Sequence, residues 1–272
     1  MRFRPILCFL VHILSSFVTF PASPPLTQRF RSITDLLPLG AIVADIGADH
    51  GIVSTSIVGV ADRVYAVEKS KIAAKNGVIS LVEKLQLQDK VKVLLGDGLI
   101  PLVHAGVEHI DTVVIAGMGA KSMLKILNEG NEASVDKLGN TYDISSACLQ
   151  DNDLSAYNNA HAGINHLVLQ PFPPNIIAVA ELCESLKVDS WFCDQISIVS
   201  CKNIFHLTFS FRQKKIDLLD QQCEAFDFPN IRYSSAEEKL LWSEYFAKQK
   251  ASLRLKPCGS VPSRIQSIFK HL

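Results

Sequence analysis

Short apolar runs alternate with helix-length stretches along most of this chain, and the alternation indicates its fold class. Five apolar runs are each expected to form a buried strand: residues 41–46, 63–67, 91–95, 111–116 and 166–170. Strand, helix and strand in succession form right-handed parallel units, so the pattern predicts a parallel sheet with helices on both faces. At 272 residues and 48% hydrophobic content, the chain can bury such a core.

Helix signals fall between the predicted strands. Ser70 is a suitable N-cap, and apolar residues at helical spacing extend from it to Leu87. Further helices are predicted over 120–129 and 175–186. Each separates two predicted strands, as a parallel sheet requires.

The last two predicted strands have no helix between them. They span 191–199 and 204–211, and the four residues 200–203 are expected to join them as a hairpin. A mostly parallel sheet that ends in an antiparallel hairpin matches, by analogy, the Rossmann-like α/β fold of class I methyltransferases. These enzymes use S-adenosyl-L-methionine (SAM).

Glycine and acidic residues follow the predicted strands at the carboxyl edge of the sheet, where parallel α/β proteins bind ligands. The set comprises Asp45, Gly47, Asp49, His50 and Gly51 at the first strand, Glu68 at the second, Asp97 and Gly98 at the third, and Gly117, Met118 and Gly119 at the fourth. Neighbouring strand ends meet at one edge, so we expect these residues to converge on one cleft.

The residue types in this set favour an adenosyl cofactor. Gly47 and Gly51 let the backbone approach a ligand where a Cβ would collide. Glu68 is placed to accept hydrogen bonds from both ribose hydroxyls, and Asp97 from the adenine amino group. Carboxylates also favour a sulfonium cation. A dinucleotide fingerprint has glycine where Asp49 stands, so NAD is disfavoured.

The remaining polar residues predict neither a metal site nor a disulfide framework. The scattered histidines have no ligand spacing. His50 can either orient Asp49 or cap the helix that follows. The seven cysteines form no C-x-x-C pair, which favours buried thiols in a reducing compartment; they are residues 8, 148, 183, 193, 201, 223 and 258.

The sequence resembles the bacterial tRNA methyltransferases that form 1-methyladenosine at position 22. The resemblance covers about residues 26–212, and its most specific part is Asp49-His50 after the first strand combined with Gly117-Met118-Gly119 after the fourth. Other matching segments are 26–30, 33–38 with Gly40, 44–48, 96–99, 115–116 and 169–171.

The resemblance implies a SAM-dependent enzyme that methylates N1 of an adenine flipped out of tRNA. It implies SAM binding by Asp45, Gly47, Asp49, His50, Gly51, Glu68, Asp97, Gly98 and Gly117, a catalytic centre of Asp49, Met118 and Gln170, and substrate contacts from Arg29, Gly119, Pro171 and Phe172. Adenine N1 is largely unprotonated at neutral pH, so alignment of the reactants would replace a strong general base.

The substrate side departs from the family pattern. Phe172 follows Gln170-Pro171 where the family has asparagine, and Asn203 to His206 replace a glutamate-bearing motif. Residues 131–165 form an additional segment, expected to be a mobile insertion. Two alternatives therefore stay open: a SAM-dependent methyltransferase of a small molecule or protein, and a catalytically inactive SAM- or RNA-binding module.

The start of the chain differs from the methyltransferase domain predicted at 26–213. No acidic residue precedes residue 35, and the apolar run 6–20 is too short for a membrane span. Residues 1–25 are predicted to be a targeting peptide, leaving no stable membrane span in the mature chain. The expected destination is an organelle, with a plastid favoured over a mitochondrion and a secretory route as the alternative.

Residues 214–272 are predicted to be a helical, basic extension. The chain as a whole is neutral, with 27 basic and 27 acidic residues. Residues 231–272, however, carry eight Lys or Arg against three Glu. This local excess of positive charge is expected to contact tRNA phosphates. The sequence leaves the oligomeric state open.

Overall fold

The computed structural model describes residues 27–128, 164–213 and 234–254, and its strands form one sheet. The predicted leader lies outside the described residues, as does most of the predicted insertion and of the basic extension. The strands are β1 (Ile42–Ile46), β2 (Arg63–Glu68), β3 (Val91–Leu95), β4 (Thr112–Ala116), β5 (His166–Gln170), β6 (Trp191–Cys201) and β7 (Ile204–Gln213).

The sheet has the order β3-β2-β1-β4-β5-β7-β6. Strands β1 to β5 are mutually parallel, and β7 pairs antiparallel with both β5 and β6. Because β7 runs opposite to β5, its first residues lie at the edge where the parallel strands end. This arrangement is the predicted mostly parallel sheet with a terminal hairpin.

The hairpin turn is shorter than predicted. Strand pairing continues to Cys201 and Ile204, so the turn consists of Lys202 and Asn203. Both turn residues have positive φ, 52° and 63°. Left-handed residues at both positions match the twist of paired strands. The four-residue connection expected at 200–203 was therefore wrong.

Helices cover both faces of the sheet, as predicted from the alternating pattern. Those of the described residues are α1 (Gln28–Thr34), α2 (Ile52–Ser56), α3 (Lys71–Ala74), α4 (Ser80–Lys84), α5 (Ile100–His104), α6 (Ala120–Asn128), α7 (Ile176–Val188) and α8 (Ala236–Arg254). A π-helical turn at Lys75–Ile79 joins α3 to α4. Ser70 caps this continuous helix, because its Oγ accepts from the Ala73 N–H at 3.2 Å.

Helix α8 shares the hydrophobic core of the sheet domain. Trp242, Tyr245 and Phe246 are buried in the same cluster as residues of α6, α7 and β7. The Tyr245 hydroxyl donates to the Pro174 carbonyl at 2.8 Å. This part of the predicted extension therefore packs on the domain. Within the described residues, no helix has the length and apolar content needed to cross a membrane.

Candidate functional site

The loop after β1 is held between β2 and the π-helical turn. The Asp49 N–H donates to Glu68 Oε2 at 3.0 Å, and the Asp49 carbonyl accepts from the Val78 N–H at 2.9 Å. Gly77 permits this approach, because a Cβ there would lie 2.1 Å from the Asp49 oxygen. Sequence reasoning missed this support. The glycine inside a helical pattern was its one visible signal.

Glu68 lies at the end of β2, beside the loop after β1. It is 9% exposed, and its Oε1 and Oε2 accept from the Ser70 and Asp49 N–H groups at 2.8 and 3.0 Å. An ionised carboxylate offers about four acceptor positions. Each oxygen therefore retains acceptor capacity for a ligand while the backbone bonds hold the group in place.

Asp45 lies beneath the loop. It is buried, and its Oδ2 accepts from the Ser54 hydroxyl at 2.5 Å. Burial raises the pKa of Asp45 to about 6, the Ser54 hydrogen bond opposes that rise, and the charge of Glu68 adds to it. The carboxyl thus joins β1 to α2.

Asp97 forms an ion pair with Lys69, a residue that the sequence analysis did not consider. Its Oδ2 lies 2.5 Å from Lys69 Nζ, and both side chains are substantially exposed. The backbone also joins the second and third strand ends, since the Gly96 N–H donates to the Glu68 carbonyl at 3.0 Å. Glu68 and Asp97 therefore stand at adjacent positions of one edge.

The loops after β1 and β4 meet at Gly47 and Met118. Gly47 has φ of 79°, and a Cβ there would lie 2.0 Å from the terminal methyl carbon of Met118. Gly51, also left-handed, packs against Val78, which leaves no room for a side chain. Both glycines are points of close approach, but the approaching groups belong to the protein, so their role toward a ligand stays a prediction.

His50 lies beside Asp49 and does not cap α2. Helix α2 has Gly51 as its N-cap residue. His50 Nε2 lies 3.5 Å from Asp49 Oδ2, and both side chains are mostly exposed. Of the two roles left open by the sequence, the structure thus excludes the helix cap.

Gln170 and Arg29 are joined by hydrogen bonds beside the loop after β4. Gln170 is 1% exposed; its Oε1 accepts from Arg29 Nε at 2.7 Å, and its Nε2 donates to the Thr208 hydroxyl at 2.8 Å. The Arg29 guanidinium reaches the loop after β4, since its Nη2 lies 3.1 Å from where a Gly117 Cβ would be. Burial lowers the pKa of Arg29, which remains cationic at neutral pH.

Phe172 follows Gln170-Pro171 and contacts a histidine that sequence reasoning did not select. The Phe172 N–H donates to the Met118 carbonyl at 2.8 Å. Its ring is stacked on His206 with 5.9 Å between centroids and 20° between planes. Pro171 is buried beside it, and the space at Gly119 is open.

Two groups of predicted residues thus meet at the contact between Gly47 and Met118. The first comprises the loop 47–51 with Glu68 and Asp97, and the second comprises Arg29, the loop 117–119 and Gln170 to Phe172. Asp45 supports the first group from below. Among the residues that the structure describes, no group of three or more His, Cys, Asp or Glu could hold a metal ion.

Comparison with known proteins identifies relatives of this chain. Residues 26–141 match a family described as a methyltransferase domain. The tRNA (adenine(22)-N(1))-methyltransferase of Bacillus subtilis (strain 168) is 31% identical over 122 residues, which cover 41% of this chain and 46% of that protein. The match therefore spans less than half the length of the curated relative.

Solved structures resemble nearly the whole chain. TrmK of M. capricolum, solved with S-adenosyl-homocysteine, has a TM-score of 0.61 at 17% identity and covers 90% of this chain and 97% of its own. Sp1610 of Streptococcus pneumoniae, solved with SAM, has a TM-score of 0.59 at 20% identity and covers 84% and 91%. These findings confirm the predicted Rossmann-like methyltransferase fold and the predicted resemblance.

Proposed function

We propose that this protein is a SAM-dependent methyltransferase that modifies N1 of an adenine in tRNA. The observation that carries the proposal is that two groups of polar residues, the first of them rich in carboxylates, meet at the contact between Gly47 and Met118. Methyl transfer requires a donor site and an acceptor site that share one boundary. The matches to a methyltransferase domain and to a tRNA adenine methyltransferase support this assignment.

The first group of residues has the chemistry to bind SAM. Glu68 retains acceptor capacity for the ribose hydroxyls, and Asp97 can exchange Lys69 for the adenine amino group. Asp49, Glu68 and Asp97 together favour a cationic ligand over a pyrophosphate. When bound, SAM supplies an electrophilic methyl group.

The second group would hold the acceptor base. N1 of adenine carries a free lone pair at neutral pH, so the protein need only orient it toward the donor. Gln170 is fixed by hydrogen bonds to Arg29 and Thr208, and Met118 contacts Gly47 where the two groups of residues meet, so both serve to position the reactants. Arg29 stays cationic and is partly exposed, so it can contact a tRNA phosphate.

The basic extension would add sequence-independent affinity for tRNA. On α8, Lys239 and Lys250 are exposed, which leaves their charges available for phosphates. Binding through such contacts weakens steeply as salt is raised.

For the leader 1–25, we propose import into an organelle, with a plastid favoured over a mitochondrion; expression of a fluorescent fusion in a plastid-bearing cell tests this.

Transfer of a labelled methyl group tests the proposed activity. The full chain is incubated with unmodified tRNA transcripts and SAM labelled in its methyl group, and the product nucleosides are separated. We expect label in 1-methyladenosine. No label in RNA, while SAM still binds, would contradict the proposal.

A second candidate function follows from the altered substrate side. Phe172 and His206 stand where the family has other residue types, so the acceptor could be a small molecule or a protein. Label that enters protein or small molecules but not RNA would favour this candidate.

A further inference from the structure

The aromatic pair of Phe172 and His206 lies where an acceptor base would enter, and this inference rests on the proposed function. Leu169 of β5 pairs with Phe209 of β7, so continuing the antiparallel register brings Phe172 level with His206. The stacked rings of the pair agree with that placement. The Phe172 N–H donates a hydrogen bond to the Met118 carbonyl, and Met118 contacts Gly47 where the proposed donor and acceptor sides meet. The pair therefore borders the acceptor side of the site.

His206 has a buried polar atom with no partner. The residue is 6% exposed, and within the described residues its Nδ1 makes no hydrogen bond. A buried polar group without a partner costs free energy, and such groups in native proteins call for an explanation. A ligand that supplies the missing partner would remove this cost.

The surroundings of His206 set the form of its imidazole. Burial lowers the pKa of His206, and the positive charge of Arg29 lowers it further. The ring is therefore neutral at neutral pH. A neutral imidazole carries one N–H and one lone pair, so Nδ1 can act as an acceptor when the hydrogen is on Nε2.

We propose that His206 recognises the target base by accepting a hydrogen bond at Nδ1 from the exocyclic 6-amino group of adenine. The Phe172 ring, which is 38% exposed, turns aside to admit the base and stacks on it. Guanine presents a carbonyl oxygen at the same position, which offers no hydrogen. The 6-amino group is adjacent to N1, so the contact also fixes the orientation of the nitrogen that is methylated.

A comparison of two substrates and two variants tests the proposal. The substrates are tRNAs with adenosine or purine riboside, which lacks the 6-amino group, at the methylated position. His206→Asn retains an acceptor near Nδ1, and His206→Leu is of similar size without one. We expect His206→Leu to lower kcat/KM about 10- to 100-fold for adenosine and little for purine riboside, with SAM affinity unchanged. His206→Asn should preserve most of the adenosine rate.

The ratio of kcat/KM for the two substrates separates recognition from other effects. Purine N1 is intrinsically less reactive, but this difference is common to all the enzymes and cancels when their ratios are compared. An unchanged ratio in His206→Leu, or equal losses on both substrates, would overturn the proposal. Should His206→Leu fold poorly, His206→Phe supplies the same comparison of kcat/KM ratios. A wild-type enzyme with equal kcat/KM for the adenosine and purine riboside tRNAs would refute the contact without any variant.

Failure of the proposed function gives a different result. In that case the wild-type protein transfers no methyl group to either tRNA, and the recognition proposal falls with it. A wild-type enzyme that methylates tRNA, with a ratio insensitive to residue 206, refutes the recognition proposal alone.

Discussion

A buried carboxyl beneath the cleft makes folding depend on pH at the scale of a single residue. Asp45 has a pKa raised to about 6 by burial, against an ordinary value of 3.8. An acid with a raised pKa in the folded state favours folding most when it is protonated. The contribution of Asp45 is therefore fully present below about pH 4 and is lost as pH rises through 6.

Replacing Asp45 with asparagine should remove this dependence. Asparagine is neutral at every pH and can still accept from Ser54. The unfolding free energy of Asp45→Asn relative to wild type should rise by about 2 kcal/mol between pH 4 and pH 7. Urea unfolding of both proteins at several pH values measures this difference in unfolding free energy. Other titrating groups such as His166 are present in both proteins, so their contributions cancel. A difference that stays constant or falls with pH would contradict the raised pKa.

At the scale of elements, the π-helical turn supports the loop 47–51 after β1. Its Gly77 is buried against the backbone of Asp49 and His50. In most helix interiors, alanine in place of glycine stabilises by about 1 kcal/mol. Here a Cβ would lie 2.1 Å from the Asp49 carbonyl oxygen, so either the loop or the helix must move.

Gly77→Ala should therefore destabilise the protein and weaken SAM binding together. We expect a loss of about 1–3 kcal/mol in unfolding free energy, with SAM affinity reduced at least about tenfold. The matched control is Gly59→Ala, where a Cβ meets no atom within 4 Å. It should change stability by less than about 0.5 kcal/mol. A stabilised Gly77→Ala protein with normal affinity would show that the loop does not depend on this turn.

Helix α8 is a second element whose docking can be measured. Trp242 is fully buried in the core, whereas Leu240, two residues earlier, is 60% exposed. Trp242→Ala should lower the unfolding free energy by about 3–5 kcal/mol, and Leu240→Ala by less than about 1 kcal/mol. Urea unfolding with fluorescence and circular dichroism would measure both. Similar effects of the two substitutions would mean that α8 does not share the core.

At the scale of the whole molecule, periodicity predicted strands β1 to β5 because each of them is a short, mainly apolar run. The terminal hairpin was predicted from the missing helix between two β-rich runs. Its turn was misplaced because the pairing of Cys201 with Ile204 depends on the neighbouring strand rather than on local residue type. The packing of α8 likewise depends on tertiary contacts that helical spacing alone does not specify.

The candidate site was predictable where residues directly follow strands. The sheet brings Gly47, Glu68 and Asp97 to one edge for that reason. The segment 203–206 was noted because it replaces a family motif, but His206 was not selected as a site residue because a lone histidine in an antiparallel strand indicates no particular role. Lys69 was missed because its role depends on the conformation of a long side chain, which reaches Asp97 after the neighbouring strand.

Titration of the protein with SAM tests most directly whether the carboxylates at this edge form an adenosyl site. In Glu68→Gln, the amide nitrogen replaces one acceptor that holds the Asp49 or Ser70 N–H. We expect wild type to bind SAM and Glu68→Gln to bind it at least about tenfold more weakly. Glu83→Gln, an exposed change on α4, should bind like wild type. No binding by wild type, or equal affinity in wild type and Glu68→Gln, would contradict the assignment of the cleft.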